Sequence, residues 1–360
     1  MRQEELLINR LAAYARSDMY PFHMPGHKRR TGPEDFFMNS CVDSFTNPFA
    51  VDITEIEGFD NLHHPEGILK DSMKWAADVY GADQTYYLIN GSTGGILAAV
   101  CGSVPRGGRI LVSRNCHKSV YHGICLNQLK TSYVLPQEIE GLGIQGGITA
   151  EDVDRMLNRY MDTQAVLILC PTYDGIVSDI EAIARIVHRA GLPLIVDEAH
   201  GAHFGFHPYF PENANTKGAD VVIHSLHKTL PALTQTALIH LNGTRIDRRK
   251  IRNYLHIFQT SSPSYVLMAS MDECLRTVAE QGDVLFETYV KNLESKRGEL
   301  KKLKHIRLME TEEFDRSKLV LSVKDTILKK ENRVFTGKML YERLLLEYRL
   351  QMEMAAGSYV

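Results

Sequence analysis

The sequence predicts an α/β fold, a mostly parallel sheet wrapped by helices with a smaller α+β unit after it. From Tyr86 onward, short apolar runs alternate with segments of helical period. After about Ile246 the texture turns helical and charged, then returns to two short strand-like runs. At 360 residues, 44% of them hydrophobic, the chain exceeds one minimal domain and has apolar material for a sizeable core.

In chain order, Met1 to Ala15 carries acids at Glu4 and Glu5 and apolar residues at Leu6, Leu7, Leu11 and Ala12. This predicts an amphipathic helix and not a signal peptide. Loop signals follow at Tyr20-Pro21, Met24-Pro25-Gly26-His27, Asn47-Pro48 and Leu62-His63-His64-Pro65-Glu66-Gly67. So much His, Gly and Pro in loops points to ligand contact or a subunit interface. Strands are expected at Tyr86 to Ile89, Arg109 to Val112, Tyr133 to Leu135, Ala165 to Cys170, Leu194 to Asp197 and Val221 to Ser225. Val290 to Lys304 holds no strand-like run, and Arg307 to Met309 and Leu319 to Val323 read as strands of the small unit. The apolar ending Gly357-Ser358-Tyr359-Val360 lacks a polar fade-out, so further chain is expected downstream.

A net charge of −3 argues against nucleic acid or an anionic membrane as the main partner, and His27-Lys28-Arg29-Arg30 is too short for a basic footprint. Cys41, Cys101, Cys116, Cys125, Cys170 and Cys274 form neither a C-x-x-C pair nor a regular pattern with histidine, which predicts reduced thiols in a cytoplasm and no metal. No apolar run is long enough to span a bilayer.

Ligands of open α/β sheets collect outside the carboxyl ends of the strands, so the polar residues just past each strand carry the functional reading. Asn90-Gly91-Ser92-Thr93-Gly94-Gly95 sits between a strand and the helical run Ile96 to Val100. Its amides and hydroxyls suit a phosphate, although a tight turn needs the same glycines. Leu194-Ile195-Val196-Asp197 delivers a buried carboxylate, placed to pair with a ring nitrogen; with His200 and His203 it also reads as a metal site, weakened by Gly201 and the lack of an H-E-x-x-H helix. Val221 to Ser225 runs into His227 and Lys228. A lysine against a strand end loses solvation and becomes a nucleophilic amine, whereas alone it reads as an ordinary surface lysine. A Gly-Ser-Thr-Gly turn, then an acid at a strand end, then a lysine just past the next strand, point together to a pyridoxal-phosphate (PLP) enzyme.

The stretches Pro25-Gly26-His27-Lys28, Asn61 to Gly67, Asp197-Glu198-Ala199-His200-Gly201-Ala202-His203 and Ser225-Leu226-His227-Lys228-Thr229-Leu230-Pro231 closely resemble the Orn/Lys/Arg decarboxylase family. The resemblance covers essentially the whole chain. It implies the aspartate-aminotransferase-like fold type I, with a seven-stranded sheet. Residues 1–82 then form a helix and loop segment serving the active site and dimer interface, 83–285 the PLP-binding large domain, and 286–360 the start of an incomplete small C-terminal domain. By the same resemblance Lys228 bonds to the cofactor, Asp197 pairs with the pyridinium nitrogen, and His117 stacks on the ring. Ser92, Thr93, Gly94, Ala199, His200, Ser225 and His227 complete the cofactor contacts, with Lys228, Asp197 and His227 catalytic. Phe258 to Tyr265 matches a family loop that reaches a neighbouring subunit's phosphate, which implies a homodimer.

With nothing before Met1 matching the wing of the larger members, the chain resembles the wingless biosynthetic type. Decarboxylation of a basic amino acid, arginine first, then lysine or ornithine, to agmatine or a diamine is the implied reaction. Transamination or β-elimination on the same residues, or PLP binding without catalysis, are the rival readings.

Overall fold

The computed structural model describes residues 11, 13–28, 48–139, 143–328 and 333–360. Its centre is a seven-stranded sheet of β1 (Gln84–Leu88), β2 (Arg109–Ser113), β3 (Lys130–Val134), β4 (Thr163–Leu169), β5 (Leu194–Asp197), β6 (Val221–His224) and β7 (Ala237–Leu241). The spatial order is β1-β7-β6-β5-β4-β2-β3. All neighbours are parallel except β7, which runs antiparallel to both β1 and β6. Strands such as Leu194-Ile195-Val196 are buried on both faces, so they read as continuous apolar runs and not as alternating ones.

The six expected strands are present with small shifts, and β7 is an addition. Leu135 falls outside β3, because β3 pairs residue for residue with β2 from Arg109↔Lys130 to Ser113↔Val134 and pairing stops there. Ser225 leaves β6 to become the N-cap of the one-turn helix α6 (Leu226–Thr229).

Helix α1 (Ile68–Tyr80) buries Leu69, Met73, Ala76, Ala77 and Tyr80, one face at helical spacing. Helix α2 (Gly91–Ser103) is packed between the sheet and α7 (Arg248–Phe258). A Cβ on Gly95 would lie 2.6 Å from Leu88 Cδ1, and one on Gly102 would lie 2.7 Å from Ile251 Cγ1. Close approach of backbone to neighbour explains both glycines. The remaining layer comprises α3 (Lys118–Leu126), α4 (Ala150–Arg159) and α5 (Ile180–Arg189). Helix α5 is capped by the Asp179 side chain, which accepts from Ala182 N, and carries His188 and Arg189 in its last turn. Among the described residues no helix is long and apolar enough to cross a membrane.

Helix α8 (Tyr265–Leu300) links the sheet to a small unit, where Arg307–Leu308 pairs antiparallel with Leu321–Ser322 and α9 (Gly337–Tyr348) covers Val323 and Phe335. Tyr20–Pro21 pairs parallel with Leu350–Gln351, which ties the N-terminal segment to this unit. Of the expected first helix, Leu11 and residues 13–15 are helical; its earlier part, Arg29, Arg30, Cys41 and Asn47 lie outside the described residues.

Two buried polar contacts dock residues 310–320. Arg297, 1% exposed, donates to the carbonyls of Arg316 and Lys318 and pairs with Glu310 at 2.8 Å. Asp315 is fully buried, 3.1 Å from His203 Nε2, and accepts from Ser317 N and Oγ. Burial raises the Asp315 pKa, but His203, Lys318 and Ser317 outweigh it and leave the carboxyl below its ordinary value. A depressed carboxyl pKa stabilises the fold above the unfolded-state value and loses that contribution as pH falls through the folded one. Asp315→Ala is therefore expected to cost about 3–5 kcal/mol at neutral pH, shrinking below about pH 4, measured by urea unfolding across pH.

Candidate active site

The carboxyl ends of β4, β5 and β6 converge on Lys228. Asp197 ends β5 in register with Leu169 of β4 and Ile223 of β6, and is 1% exposed. Its Oδ1 accepts from Ala199 N at 3.3 Å. Burial pushes its carboxyl pKa up, opposed by Lys228 and that backbone amide. The carboxylate thus favours a positively charged or proton-bearing group beside it.

Lys228 lies on α6, and its Nζ is 3.0 Å from His200 Nε2. Burial lowers the Lys228 pKa; Asp197 works against the shift and Lys318 adds to it. The amine is shifted toward its neutral, nucleophilic form. Burial also holds His200 well below the ordinary histidine value, with Lys318 and Lys228 adding to the effect, so its neutral ring accepts from Lys228 at Nε2. Tyr173 packs edge-on against that ring at 5.0 Å.

Among the described residues, Ser225 Oγ, Asn115 Oδ1, His200 Nδ1 and, next to Lys228, Thr229 Oγ1 are buried polar atoms without a partner. Unpaired buried polar groups are uncommon in folded chains, and a polar ligand supplies their missing partners. The start of α2 adds donors. Helical backbone begins at Gly91, earlier than the expected Ile96, because Asn90 is anchored to Phe258 O at 2.8 Å and Gly91, at φ +67°, donates to Gln235 O. Ser92 and Thr93 therefore lie in the first turn, where their amides have no intrahelical acceptors and suit a phosphate, and Gly94 follows them.

His117 caps α3, its Nδ1 accepting from Ser119 N, and its pKa is lowered by burial and then by Lys228. His227 Nδ1 donates to Thr236 O at 3.0 Å, which leaves Nε2 for another partner; burial lowers its pKa. Asp197, His117, His200 and His227 thus lie around Lys228, from the β5 end, the α3 cap and α6. As a metal set, Asp197, His200 and His203 do not converge: they bond to Ala199, Lys228 and Asp315 respectively.

Within one chain, Phe258 to Tyr265 runs past the start of α2, where Phe258 O accepts from Asn90 Nδ2. Gln259 accepts from Ile89 N, and Thr260 O accepts from His63 Nε2 at 2.8 Å. With His63, His64, Arg252 and His256, Gln259 lines a cleft of about 390 Å³ whose walls include neither Lys228 nor Asp197.

The N-terminal loop was expected at the site; sequence reasoning missed Tyr173 and Glu353 of its outer wall. Gly26 N donates to His227 O at 2.8 Å, and a Cβ on Gly26 would lie 2.5 Å from Leu230 O, so this glycine lets the N-terminal loop seat on the lysine turn. Glu353 bridges that loop to the sheet, accepting from Met24 N at 2.7 Å and from Tyr173 OH at 2.9 Å. Tyr173, just past β4, was findable by the strand-end rule; Glu353 follows a short strand of the distant small unit and carried no such signal.

A parallel sheet with one antiparallel strand, and an aspartate and lysine at adjacent strand ends, define the PLP-dependent enzymes of fold type I. The chain superposes on Escherichia coli constitutive lysine decarboxylase with a TM-score of 0.70 at 20% identity, over 98% of this chain and 56% of that one. The family model "Orn/Lys/Arg decarboxylase, major domain" matches residues 6–331, and the chain belongs to that family. It is 38% identical over 267 residues to the uncharacterized protein YaaO of Bacillus subtilis, covering 74% of this chain and 55% of that one. An arginine decarboxylase of Bacillus cereus is 32% identical over 330 residues, 89% of this chain and 71% of the relative. The chain thus spans little more than half the length of YaaO and of the lysine decarboxylase.

Proposed function

We propose that the chain decarboxylates a basic amino acid, arginine before lysine or ornithine, with PLP as cofactor, releasing carbon dioxide and agmatine or a diamine. The observation that carries this reading is Lys228, its amine partly desolvated at 3.0 Å from a neutral His200 and beside the Asp197 charge, at an edge with unpaired polar atoms. When bound, PLP supplies an aldehyde for an amine and a protonated ring that draws electrons from the bond to the departing carboxylate.

The chain's own residues do the rest. The first-turn amides of α2 with the Ser92 and Thr93 hydroxyls, and Ser225 Oγ, hold the phosphate; His117 covers a ring face, and Ala199 and His200 border it. Asp197 keeps a proton on the ring nitrogen. The electron pair left when carbon dioxide departs takes a proton at the α-carbon from Lys228 Nζ, or from His227 once its Nε2, an acceptor in the neutral ring, has taken up a proton. A homodimer in the cytoplasm fits the unpaired thiols of Cys101, Cys116, Cys125, Cys170 and Cys274 and the kinship with the decarboxylases above.

Turnover of arginine, lysine and ornithine by the PLP-loaded chain tests the proposal. Carbon dioxide release fastest with arginine is expected. A 2-oxo acid in place of carbon dioxide would identify transamination, and no release from any of the three would refute the proposal.

A further inference from the structure

Behind the strand ends, a second titratable cluster plays no part in the chemistry above. Glu198, the residue after β5, has its own partners, on β6 and in the Ala214 amide, and none of them is Lys228. Glu198 Oε2 is 2.6 Å from His224 Nε2, His224 Nδ1 is 2.9 Å from His240 Nε2, and His240 Nδ1 is 2.7 Å from Thr85 Oγ1. This continuous line runs from the end of β5 through β6 and β7 to β1. None of the four residues is more than 2% exposed. The Tyr80 ring covers both imidazoles at 4.7 and 4.8 Å, and its hydroxyl is spent on Ala202 O.

Two proton arrangements satisfy the geometry. In one, Glu198 is ionised and the hydrogens point toward it: Thr85 Oγ1 to His240 Nδ1, His240 Nε2 to His224 Nδ1, His224 Nε2 to the carboxylate. In the other, which holds one more proton, Glu198 is a neutral acid and every hydrogen points away, ending with His240 Nδ1 donating to Thr85.

The surroundings choose between them. Facing Glu198 are His224 from β6, Tyr80 from α1, Cys170 from beyond β4, and His203, which is already paired with Asp315. The Ala214 amide is its backbone donor. A carboxylate so enclosed is costly, and redirecting one hydroxyl costs less. Burial accordingly raises the Glu198 pKa well above the ordinary value and lowers those of His224 and His240.

We infer that Glu198, His224, His240 and Thr85 form one uncharged hydrogen-bond chain with its extra proton on Glu198, a positioning device that leaves Asp197 to carry the carboxylate charge at the end of β5. An ionised neighbour one residue away would raise the proton affinity of Asp197 and weaken its hold on a ring proton. That consequence rests on the proposed cofactor; the proton arrangement does not.

The test is nitrogen-15 NMR of the histidine-labelled chain, with resonances assigned from His224→Asn and His240→Asn. Neutral rings protonated at Nδ1 are expected for both, unchanged in Glu198→Gln, whose amide donates to His224 as the acid does. Nε2-protonated rings, or a charged ring, overturn the proposal. In the PLP-loaded chain, Glu198→Gln is expected to leave the pH midpoint of the cofactor's visible absorbance unshifted and kcat within about twofold of wild type. A shifted midpoint also overturns it. Failure to bind PLP leaves the NMR result standing, so the two failures are distinguishable.

Discussion

Lys228→Ala is expected to lower kcat by about four orders of magnitude or more, because it removes both the amine that bonds to the cofactor and a proton donor to the α-carbon. Neighbouring lysines do not replace it. Lys28 donates its Nζ to His23 O at 2.6 Å, and Lys318 belongs to the segment docked by Arg297 and Asp315, its carbonyl accepting from Arg297. The variant should remain folded, since removing a poorly solvated amine takes away a penalty, and Asp197, buried and without that cation, is released from its charge by taking up a proton. Single-turnover carbon dioxide release and thermal unfolding, measured on the same preparation, separate lost chemistry from lost structure. A variant within about tenfold of wild type would falsify the assignment.

Asp197→Asn carries the next largest effect, a loss of about 10²- to 10³-fold in kcat with little change in KM. Asparagine keeps the shape and the bond from Ala199 N, so the backbone turn after β5 survives. What it loses is the negative charge that holds a proton on the ring nitrogen, and that charge acts as electrons leave the breaking bond, not on substrate binding. An equal change in KM with kcat preserved would mean that Asp197 reads the substrate and not the ring.

Much of this arrangement was legible in the sequence for a physical reason. A central parallel strand must be apolar on both faces, so Leu194 to Asp197 and Val221 to His224 stand out, and the first polar residues after them mark the ligand edge. Strand β7 was hidden because its five residues include His240, a polar group whose partners, His224 and Thr85, lie on other strands. Register against β2 extended β3 back to Lys130 and left Leu135, the last residue of the triplet that suggested it, outside. The start of α2 depended on the tertiary anchors Phe258 O and Gln235 O, which no local pattern announces. Glu353 and Lys318 reach the lysine turn from the small unit, so their position follows from docking and not from sequence proximity.

The central claim is that Lys228 is the residue that bonds to the cofactor. Incubating the chain with PLP, reducing it with borohydride and mapping the peptides by mass tests this most directly. The account predicts one stable cofactor adduct, on Lys228, absent from Lys228→Ala. An adduct on another lysine, or no adduct in the folded wild-type chain, would contradict it.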